Sequence, residues 1–266
     1  MRPRSPGANL APGYEVVEHL ARSNTLDVYQ VWSEARHCHC VAKVLRPDHR
    51  RRRNARRRLL DEGALLESCC HPGIVRGYET LRSPEPMVVM ETLGGETVSH
   101  LIERRDLKAA ELAFLGLQLA SAVGYLHDRG VVHLDLKPSN VIADAGRAKV
   151  IDLSVARAPG RIEAGLGTWC YMAPEQARGG EVGAPADVWG IGMLLFAAAA
   201  GDSPFADGEE EYPQLHSRAP AIGSERKRLP RPLSALIDAA LEADPTTRPT
   251  IAEMRGVLTE VAGARG

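Results

Sequence analysis

The sequence lacks a long hydrophobic run, and it lacks an excess of charge of either sign. The longest apolar stretch, Ile191 to Ala200, contains Gly192 and is far shorter than the ~20 residues that a membrane-spanning helix needs. We therefore predict a buried helix there, no transmembrane segment and a soluble protein. The net charge of −1 over 266 residues argues against a protein that coats nucleic acid through its overall charge.

The sequence also lacks an even set of cysteines and an apolar leader. The cysteines are Cys38, Cys40, Cys69, Cys70 and Cys170. No apolar segment follows the basic start MRPRSPGANLAPG, so we expect no secretory signal, and we expect reduced thiols in a cytoplasmic protein. With 44% hydrophobic residues, the chain has enough apolar surface to build its core without disulfides or metal.

The pattern of the residues that are present predicts an α+β fold with two lobes. Residues 1–13, rich in Pro, Arg and Gly, predict a flexible leader, residues 14–92 a small β-rich lobe, and residues 93–262 a larger helical lobe. The strands are predicted at Tyr14–Leu20, Val28–Trp32, Cys40–Val44, Val75–Thr80 and Met87–Glu91, with one helix between Asp48 and Ser68. In the helical lobe, apolar residues at three- and four-residue steps predict a helix with Leu112, Leu115, Leu119, Val123 and Leu126 on its buried side. Further helices are predicted at Ala186–Ala200, Leu233–Leu241 and Ile251–Val261. A cleft between two lobes is a natural ligand site.

Two short segments concentrate the residues that phosphoryl transfer requires. The segment His133-Leu134-Asp135-Leu136-Lys137-Pro138-Ser139-Asn140 supplies a carboxylate, a cation and an amide, and Asp152 follows in Val150-Ile151-Asp152-Leu153-Ser154. The transfer needs a carboxylate beside the attacking hydroxyl, oxygen ligands for Mg²⁺, and cations against the phosphate charge. The spacing resembles the catalytic loop and the magnesium motif of protein kinases.

Further motifs extend this resemblance in the expected order. They are Val41-Ala42-Lys43, Glu62 nine residues before His71-Pro72, Gly167-Thr168, Ala173-Pro174-Glu175, Asp187-Val188-Trp189-Gly190, and Arg248 in Asp244-Pro-Thr-Thr-Arg-Pro. No single motif is specific, but their order and spacing together are. The chain resembles bacterial Hanks-type serine/threonine protein kinases, which implies the bilobal protein-kinase fold.

The resemblance also assigns roles to individual residues. It implies that Asp135 orients the substrate hydroxyl and accepts its proton, while Lys137 stabilises the transferring group. Asn140 and Asp152 would hold Mg²⁺, and Arg248 would form a salt bridge with Glu175. The residues implied at the ATP site are Leu20, Val28, Ala42, Lys43, Glu62, Met90, Glu91, Leu93 and Ile142. Lys43 would grip the α- and β-phosphates in a pair with Glu62, Met90 would be the gatekeeper, the backbones of Glu91 and Leu93 would bind adenine, and Val28, Ala42 and Ile142 would sandwich it.

Three departures from the family pattern affect the expected activity. The glycine positions of the nucleotide loop hold Ala21, Ser23 and Leu26, so we expect weaker or slower use of ATP. Leu134 replaces the arginine that binds an activation-loop phosphate, and residues 155–167 contain no Ser, Thr or Tyr. Activation by phosphorylation within that loop is therefore not expected. Ser154 replaces the glycine of the magnesium motif.

Alternatives to a protein kinase follow from the same residues. The chain could be a pseudokinase that docks a partner through its arginine-rich segment Arg50–Arg58, which could bind an acidic protein, nucleic acid or an anionic surface. A small-molecule phosphotransferase of the antibiotic-kinase type is the other alternative, although that class generally lacks the motifs after residue 172. The segment His37-Cys38-His39-Cys40 suggests a metal site, but alternation along a strand lets at most two of its side chains converge.

Overall fold

The computed structural model describes residues 2–50, 52–83, 85–205 and 211–263. It contains two compact units, which consist of Met1–Gly94 with Asp152–Ser154, and of Gly95–Ile151 with Val155–Gly266. The first unit is dominated by strands and the second by helices, which confirms the predicted α+β class.

The first unit is built on a six-stranded antiparallel sheet. Its strands are β1 (Asn9–Ala11), β2 (Tyr14–Arg22), β3 (Leu26–Ser33), β4 (Cys38–Leu45), β5 (Gly77–Leu81) and β6 (Met87–Glu91), in the order β1-β2-β3-β4-β6-β5. Because side chains alternate along a strand, β3 and β4 each direct every second residue to one face. That face carries a buried cluster of Tyr14, Val16, Tyr29, Val31, Cys40, Ala42, Val44, Met87 and Val89.

One helix, α1 (Arg53–Ser68), accompanies this sheet, as predicted. Its residues Leu59 and Leu66 are buried, and α1 packs against β4, β5 and β6. No acidic residue lies in the first turn of α1, and the side chain of its N-cap residue, Arg52, makes no capping hydrogen bond.

The predicted leader is partly ordered. Residues 9–11 pair with β2, and the Arg4 N–H donates a hydrogen bond of 2.9 Å to the Tyr29 hydroxyl. The loose leader predicted for residues 1–13 is therefore wrong for this part, because a three-residue strand depends on pairing that composition does not reveal.

The second unit contains most of the helices and two small sheets. Its elements are β7 (Glu96–Thr97), α2 (Val98–Arg104), α3 (Ala109–His127), β8 (Val141–Asp144), β9 (Arg147–Val150), β10 (Gly160–Ile162), α4 (Pro174–Arg178), β11 (Gly180–Val182), α5 (Ala184–Ala200), α6 (Ile222–Glu225), α7 (Arg231–Ala240) and α8 (Ile251–Gly263). Strands β7, β8 and β9 form one sheet, and β10 pairs with β11.

The apolar helices α3 and α5 form the centre of this unit. All five apolar residues predicted for the buried side of α3 are buried, and α3 packs against α8 and α5. Helix α5 is buried from Ala186 to Ala199, which confirms the buried helix predicted at this apolar run. Among the described residues, α3 is the one helix long and apolar enough to cross a membrane by length and composition, and half of its apolar window is buried inside the protein.

Candidate active site

The first unit brings together Lys43, Glu62 and Asp152. The Lys43 Nζ atom lies 2.6 Å from Glu62 Oε1 and 3.4 Å from Asp152 Oδ1, and the Glu62 side chain is fully buried. Strand β4 positions the lysine, α1 positions the glutamate, and the Leu153 N–H donates to the same Glu62 oxygen at 3.3 Å. The predicted pairing of Lys43 with Glu62 is confirmed.

Burial and charge act in opposite directions on this cluster. Burial raises the pKa of Glu62, whose second carboxylate oxygen has no hydrogen-bond partner, although Lys43 opposes this shift. For Lys43, burial disfavours the charged amine, but Glu62 and Asp152 outweigh it, so its pKa is raised. Lys43 therefore remains a fixed cation at neutral pH, as a ligand of phosphate oxygens must be.

The register of the sheet shows which residues share a face with Lys43. Val28 and Val88 lie directly opposite Lys43 on the neighbouring strands, and Met90 lies opposite Val41. These residues form the face that carries the cation. The exposed Leu20 lies at the irregular pairing of β2 with β3.

The position predicted for Ala42 on the nucleotide face is wrong. Ala42 is fully buried in the cluster on the opposite face of β4, paired with Tyr29 and Val89. Val41, which is half-buried, is the residue that shares a face with Lys43. Ala42 directly precedes Lys43, and successive side chains of a strand point to opposite faces.

The segment after β6 contains the two residues predicted to bind adenine through their backbones. Glu91 ends β6, where its N–H donates to the Arg76 carbonyl at 3.0 Å and its carboxylate accepts the Arg76 N–H at 2.9 Å. Leu93 follows two residues later, outside the strand, and is half-buried. Their contacts with a nucleotide remain a prediction.

The hairpin of β2 and β3, where the glycines are missing, is closed by a buried carboxylate. The Asp27 side chain is 1% exposed and accepts from Arg22 Nε at 2.7 Å and Nη2 at 3.0 Å, with His19 Nε2 at 3.0 Å. Burial alone would raise the pKa of Asp27, but the hydrogen bonds from Arg22 and His19 outweigh it and lower the pKa. The folded state therefore favours the ionised carboxylate.

We expect Asp27→Asn to lower the free energy of unfolding by about 1.5–3 kcal/mol at pH 7, because a buried charged acceptor is lost. Since the pKa of Asp27 is lower in the folded state, its contribution is complete above the unfolded value of 3.8 and decreases as the pH falls through the folded value. Urea unfolding at pH 7 and at pH 3 measures this as a difference between variant and wild type that shrinks with acid. The exposed Glu34→Gln is the control, and an Asp27→Asn effect independent of pH would contradict the assignment.

The second unit brings together Asp135, Lys137, Asn140 and Thr168. Asp135 Oδ1 accepts from the Thr168 hydroxyl at 2.7 Å, and Asp135 Oδ2 accepts from Asn140 Nδ2 at 2.9 Å. Lys137 Nζ lies 3.1 Å from Asp135 Oδ2 and 2.5 Å from the Thr168 hydroxyl. Thr168 was not predicted as a site residue, although the Gly-Thr motif before Ala173-Pro174-Glu175 was the available signal. One carboxylate is thus held by three polar side chains.

The backbone of the catalytic loop is held in an uncommon conformation. Leu134 has φ 65°, in the left-handed region that a leucine rarely adopts. The buried Asp187 accepts hydrogen bonds from the N–H groups of His133 and Leu134 at 2.8 Å each. His127 Nε2 lies 2.8 Å from Asp187 Oδ2, within hydrogen-bond distance. Gln176 Nε2 donates to the Leu134 carbonyl at 2.6 Å. Strain of this kind persists where surrounding contacts enforce it, as is common at active sites.

The segment between Asp152 and Glu175 is anchored through its backbone. Val132 and Arg157 exchange backbone hydrogen bonds of 2.8 and 3.0 Å, and β10 pairs with β11 from Gly160 to Ile162. Leu134, which replaces the family arginine, is buried. These backbone contacts involve residues within 155–167, the part of the segment that contains no Ser, Thr or Tyr.

A buried ion pair joins α4 to the segment before α8. Arg248, with a fully buried side chain, donates to the two carboxylate oxygens of Glu175 at 2.7 and 2.8 Å. The predicted salt bridge between these residues is confirmed. It fixes the end of the segment that carries Thr168.

The metal ligands suggested by the sequence fit a hard cation. Asn140 donates two hydrogen bonds of 2.9 Å to Asp135, so its amide oxygen is the group that can face a cation, and Asp152 supplies a carboxylate that is 30% exposed. Carboxylate and amide oxygens suit Mg²⁺. Asn140 belongs to the second unit and Asp152 to the first.

Ile142, predicted at the adenine site, lies on β8 opposite Thr97 and Lys149.

No group of three or more His, Cys, Asp or Glu side chains lies close enough to hold a metal ion anywhere in the described ranges. The segment around His39 and Cys40 therefore supplies no such cluster. Cys40 is fully buried in the apolar cluster, and Cys38 is exposed at the start of β4. Because the two cysteines are two residues apart, they lie on the same face of β4, and Cys38 is exposed at the start of the strand while Cys40 lies inside the cluster.

Known proteins resemble this chain over most of its length. The family model described as protein kinase domain matches residues 14–257. Serine/threonine-protein kinase PknB of Mycobacterium tuberculosis is 31% identical over 272 residues, which cover 96% of this chain and 44% of that protein. CBL-interacting protein kinase 19 of Oryza sativa subsp. japonica is 33% identical over 95% of this chain and 51% of its own length. The chain spans about half the length of these curated relatives.

A solved structure shares the fold. The kinase domain of M. tuberculosis PknI superimposes with a TM-score of 0.79 and 24% identity, covering 98% of this chain and 100% of that one. Because this identity is low, the similarity establishes the fold alone. The family match and the sequence relatives establish the rest: this chain belongs to the protein kinase family.

Proposed function

We propose that this chain is an ATP-dependent serine/threonine kinase domain, which transfers the γ-phosphate of ATP to hydroxyl groups of proteins. The observation that carries the proposal is Asp135, whose carboxylate is held by Asn140, Lys137 and Thr168 on a loop fixed by Asp187. A carboxylate in this setting can orient a hydroxyl and accept its proton. Two relatives named as serine/threonine-protein kinases, PknB and CBL-interacting serine/threonine-protein kinase 21 of Arabidopsis thaliana, support the same substrate class.

In the proposed reaction the substrate hydroxyl attacks the γ-phosphorus, and the bond from that phosphorus to the bridging oxygen of ADP breaks. The proton of the hydroxyl passes to Asp135. Lys137 balances the charge of the transferring group, and Lys43, held by Glu62, binds the phosphates that remain on ADP. Asn140 and Asp152 would hold Mg²⁺, which neutralises phosphate charge when it is bound. Most of the rate gain is expected from positioning.

The experiment is transfer of labelled γ-phosphate from Mg-ATP to the chain itself and to a generic basic protein, with mass spectrometry to locate the label. Wild type is compared with Asp135→Asn. Label on Ser or Thr that requires Asp135 supports the proposal. Absence of label, together with absence of a Mg-ATP-dependent thermal shift, would leave the pseudokinase alternative.

Two observations favour a protein kinase over a small-molecule phosphotransferase. The Glu175–Arg248 pair and the contacts of Asp187 with the catalytic loop connect the segment around Thr168 to the helices of the second unit. A segment of this kind serves to present a protein substrate. A small hydroxylated acceptor needs no such support.

We also propose that the arginine-rich segment docks an acidic protein partner. Four of its side chains, Arg52, Arg53, Arg57 and Arg58, are exposed and have no carboxylate partner among the residues that the structure describes. Arg50 pairs with Glu85 at 2.5 Å, Arg56 donates to the Arg82 carbonyl, and Arg51 lies outside the described residues. These arginines lie at the N-terminal end of α1, where the helix dipole adds further positive potential to their charge. An acidic segment would relieve this repulsion.

We expect Arg53→Glu with Arg57→Glu to weaken binding of a fluorescent poly-glutamate peptide at least tenfold, with an affinity that falls as salt rises. Arg228→Glu with Arg231→Glu, also exposed, makes the same change in net charge elsewhere and is the control. Equal loss in both pairs would contradict a local docking surface. Stronger binding of anionic vesicles or duplex DNA than of the peptide would also contradict it.

A further inference from the structure

The tip of the β2–β3 hairpin, residues 23–26, is closed on itself by one hydroxyl group. Ser23 Oγ accepts the N–H of Leu26 at 3.0 Å and the N–H of Thr25 at 3.3 Å, and the Ser23 N–H donates to the Leu26 carbonyl at 2.9 Å. Three N–H groups of the tip are therefore already hydrogen-bonded within the tip. Ser23 stands at one of the positions that hold glycine in the family.

An arginine outside the hairpin holds the same tip through its carbonyl groups. The Arg46 N–H donates to the Thr25 carbonyl at 2.9 Å, and Arg46 Nη1 donates to the carbonyls of Ser23 and Asn24 at 3.2 and 3.3 Å. Asp48 binds the remaining guanidinium nitrogens at 2.9 and 3.2 Å, which fixes the direction of the Arg46 side chain. The tip is thus braced on its carbonyl side as well.

The tip does not need glycine to adopt its backbone conformation. Among the described residues, positive φ at a non-glycine residue occurs at His37, Leu134, Ala145 and Tyr212, and therefore not in this hairpin. The tip adopts a conformation that any residue tolerates. The chemical difference that remains is the side-chain oxygen of Ser23, which a glycine lacks.

The N–H groups of the tip are candidate phosphate donors, an inference that rests on the proposed nucleotide site. In this family the loop covers the phosphates, and backbone N–H groups of a turn are natural phosphate donors. We propose that Ser23 is a positioning residue that occupies the N–H groups of Thr25 and Leu26, so that nucleotide phosphates must compete with its hydroxyl oxygen for them. Serine in place of glycine at position 23 thereby weakens phosphate binding, because its hydroxyl oxygen already accepts both N–H groups.

The test measures affinity for Mg-ADP and for adenosine by isothermal titration. We expect Ser23→Ala and Ser23→Gly to bind Mg-ADP about three- to tenfold more tightly than wild type, because each frees two donors. The alanine variant separates this effect from the added flexibility of glycine. Ser23→Thr keeps the hydroxyl and should match wild type, and the affinity for adenosine, which has no phosphate, should be the same in all four proteins.

Hydrogen exchange of the Thr25 and Leu26 amides in the nucleotide-free protein tests the closure independently. We expect protection in wild type and Ser23→Thr, and loss of protection in Ser23→Ala. Unprotected amides in wild type, unchanged Mg-ADP affinity in both variants, or equal gains for adenosine and Mg-ADP would overturn the inference. If no protein binds nucleotide, the proposed function fails, and the exchange of these amides still decides whether Ser23 closes the tip.

Discussion

Asp135→Asn should lower kcat for phosphoryl transfer by about 10²- to 10⁴-fold, the range that a positioned general base contributes. In the structure, one carboxylate oxygen of Asp135 accepts from Thr168, and the other accepts from Asn140 and lies beside Lys137. Asparagine keeps the shape of this side chain, but it cannot accept the substrate proton. One of its ends would also present N–H donors to groups that now donate to Asp135.

The measurement is kcat and KM for ATP on a basic protein substrate, with Mg-ADP affinity as the control for folding. We expect Mg-ADP affinity to change less than threefold, because Asp135 is assigned to the hydroxyl rather than to the nucleotide. Asp61→Asn, on the exposed side of α1, should retain wild-type kcat. Activity of Asp135→Asn within tenfold of wild type would contradict the proposed role of this carboxylate.

Much of this site could be predicted because its residues lie close together in the sequence. Asp135, Lys137 and Asn140 fall within six residues, so their approach to one another depends on a single loop. The Lys43–Glu62 pair spans 19 residues, and the family motifs rather than any local pattern predicted it. The apolar periodicity of α3 predicted its buried side correctly, because a helix fixes its faces through local geometry alone.

The features that the sequence did not reveal depend on pairing or on exact register. Ala42 is the exception, because strand alternation alone places this neighbour of Lys43 on the opposite face of β4 and places Val41 on the face of Lys43. Strands β10 and β11 have three residues each, and they pair although α4 lies between them in the sequence. Such short strands form through long-range contacts and carry no periodic signal. The same reason explains why β1 was predicted as part of a leader.

The hydrogen bonds of Ser23 illustrate a different limit. From the sequence, Ser23 occupies a glycine position, and the expected cost is the limit that a Cβ sets on unusual φ values and on close approach of the backbone to phosphate. The structure shows that the tip needs no positive φ and that the hydroxyl binds the backbone instead. Side-chain to backbone hydrogen bonds of this kind depend on the turn that the chain adopts, which the residue type alone does not define.

Arg248→Met should lower the free energy of unfolding by about 3–5 kcal/mol, the loss typical when one partner of a buried ion pair is removed. Arg248 donates to both oxygens of Glu175 and also to the carbonyls of Pro185, Glu242 and Ala243, at 2.9, 2.8 and 3.3 Å. Methionine fills part of the volume but leaves a partly buried carboxylate and three carbonyls without this donor. Urea or thermal unfolding of the two proteins measures the difference.

Two further variants separate the ion pair from packing. Arg248→Lys keeps the charge but cannot donate in parallel to two carboxylate oxygens, so we expect it to recover less than half of the lost stability. In Arg248→Met with Glu175→Gln, the unpaired carboxylate is absent, and the loss should be smaller than the sum of the single losses. A loss below 1 kcal/mol for Arg248→Met, or strict additivity of the two substitutions, would mean that this pair does not hold the segment of Thr168 in place.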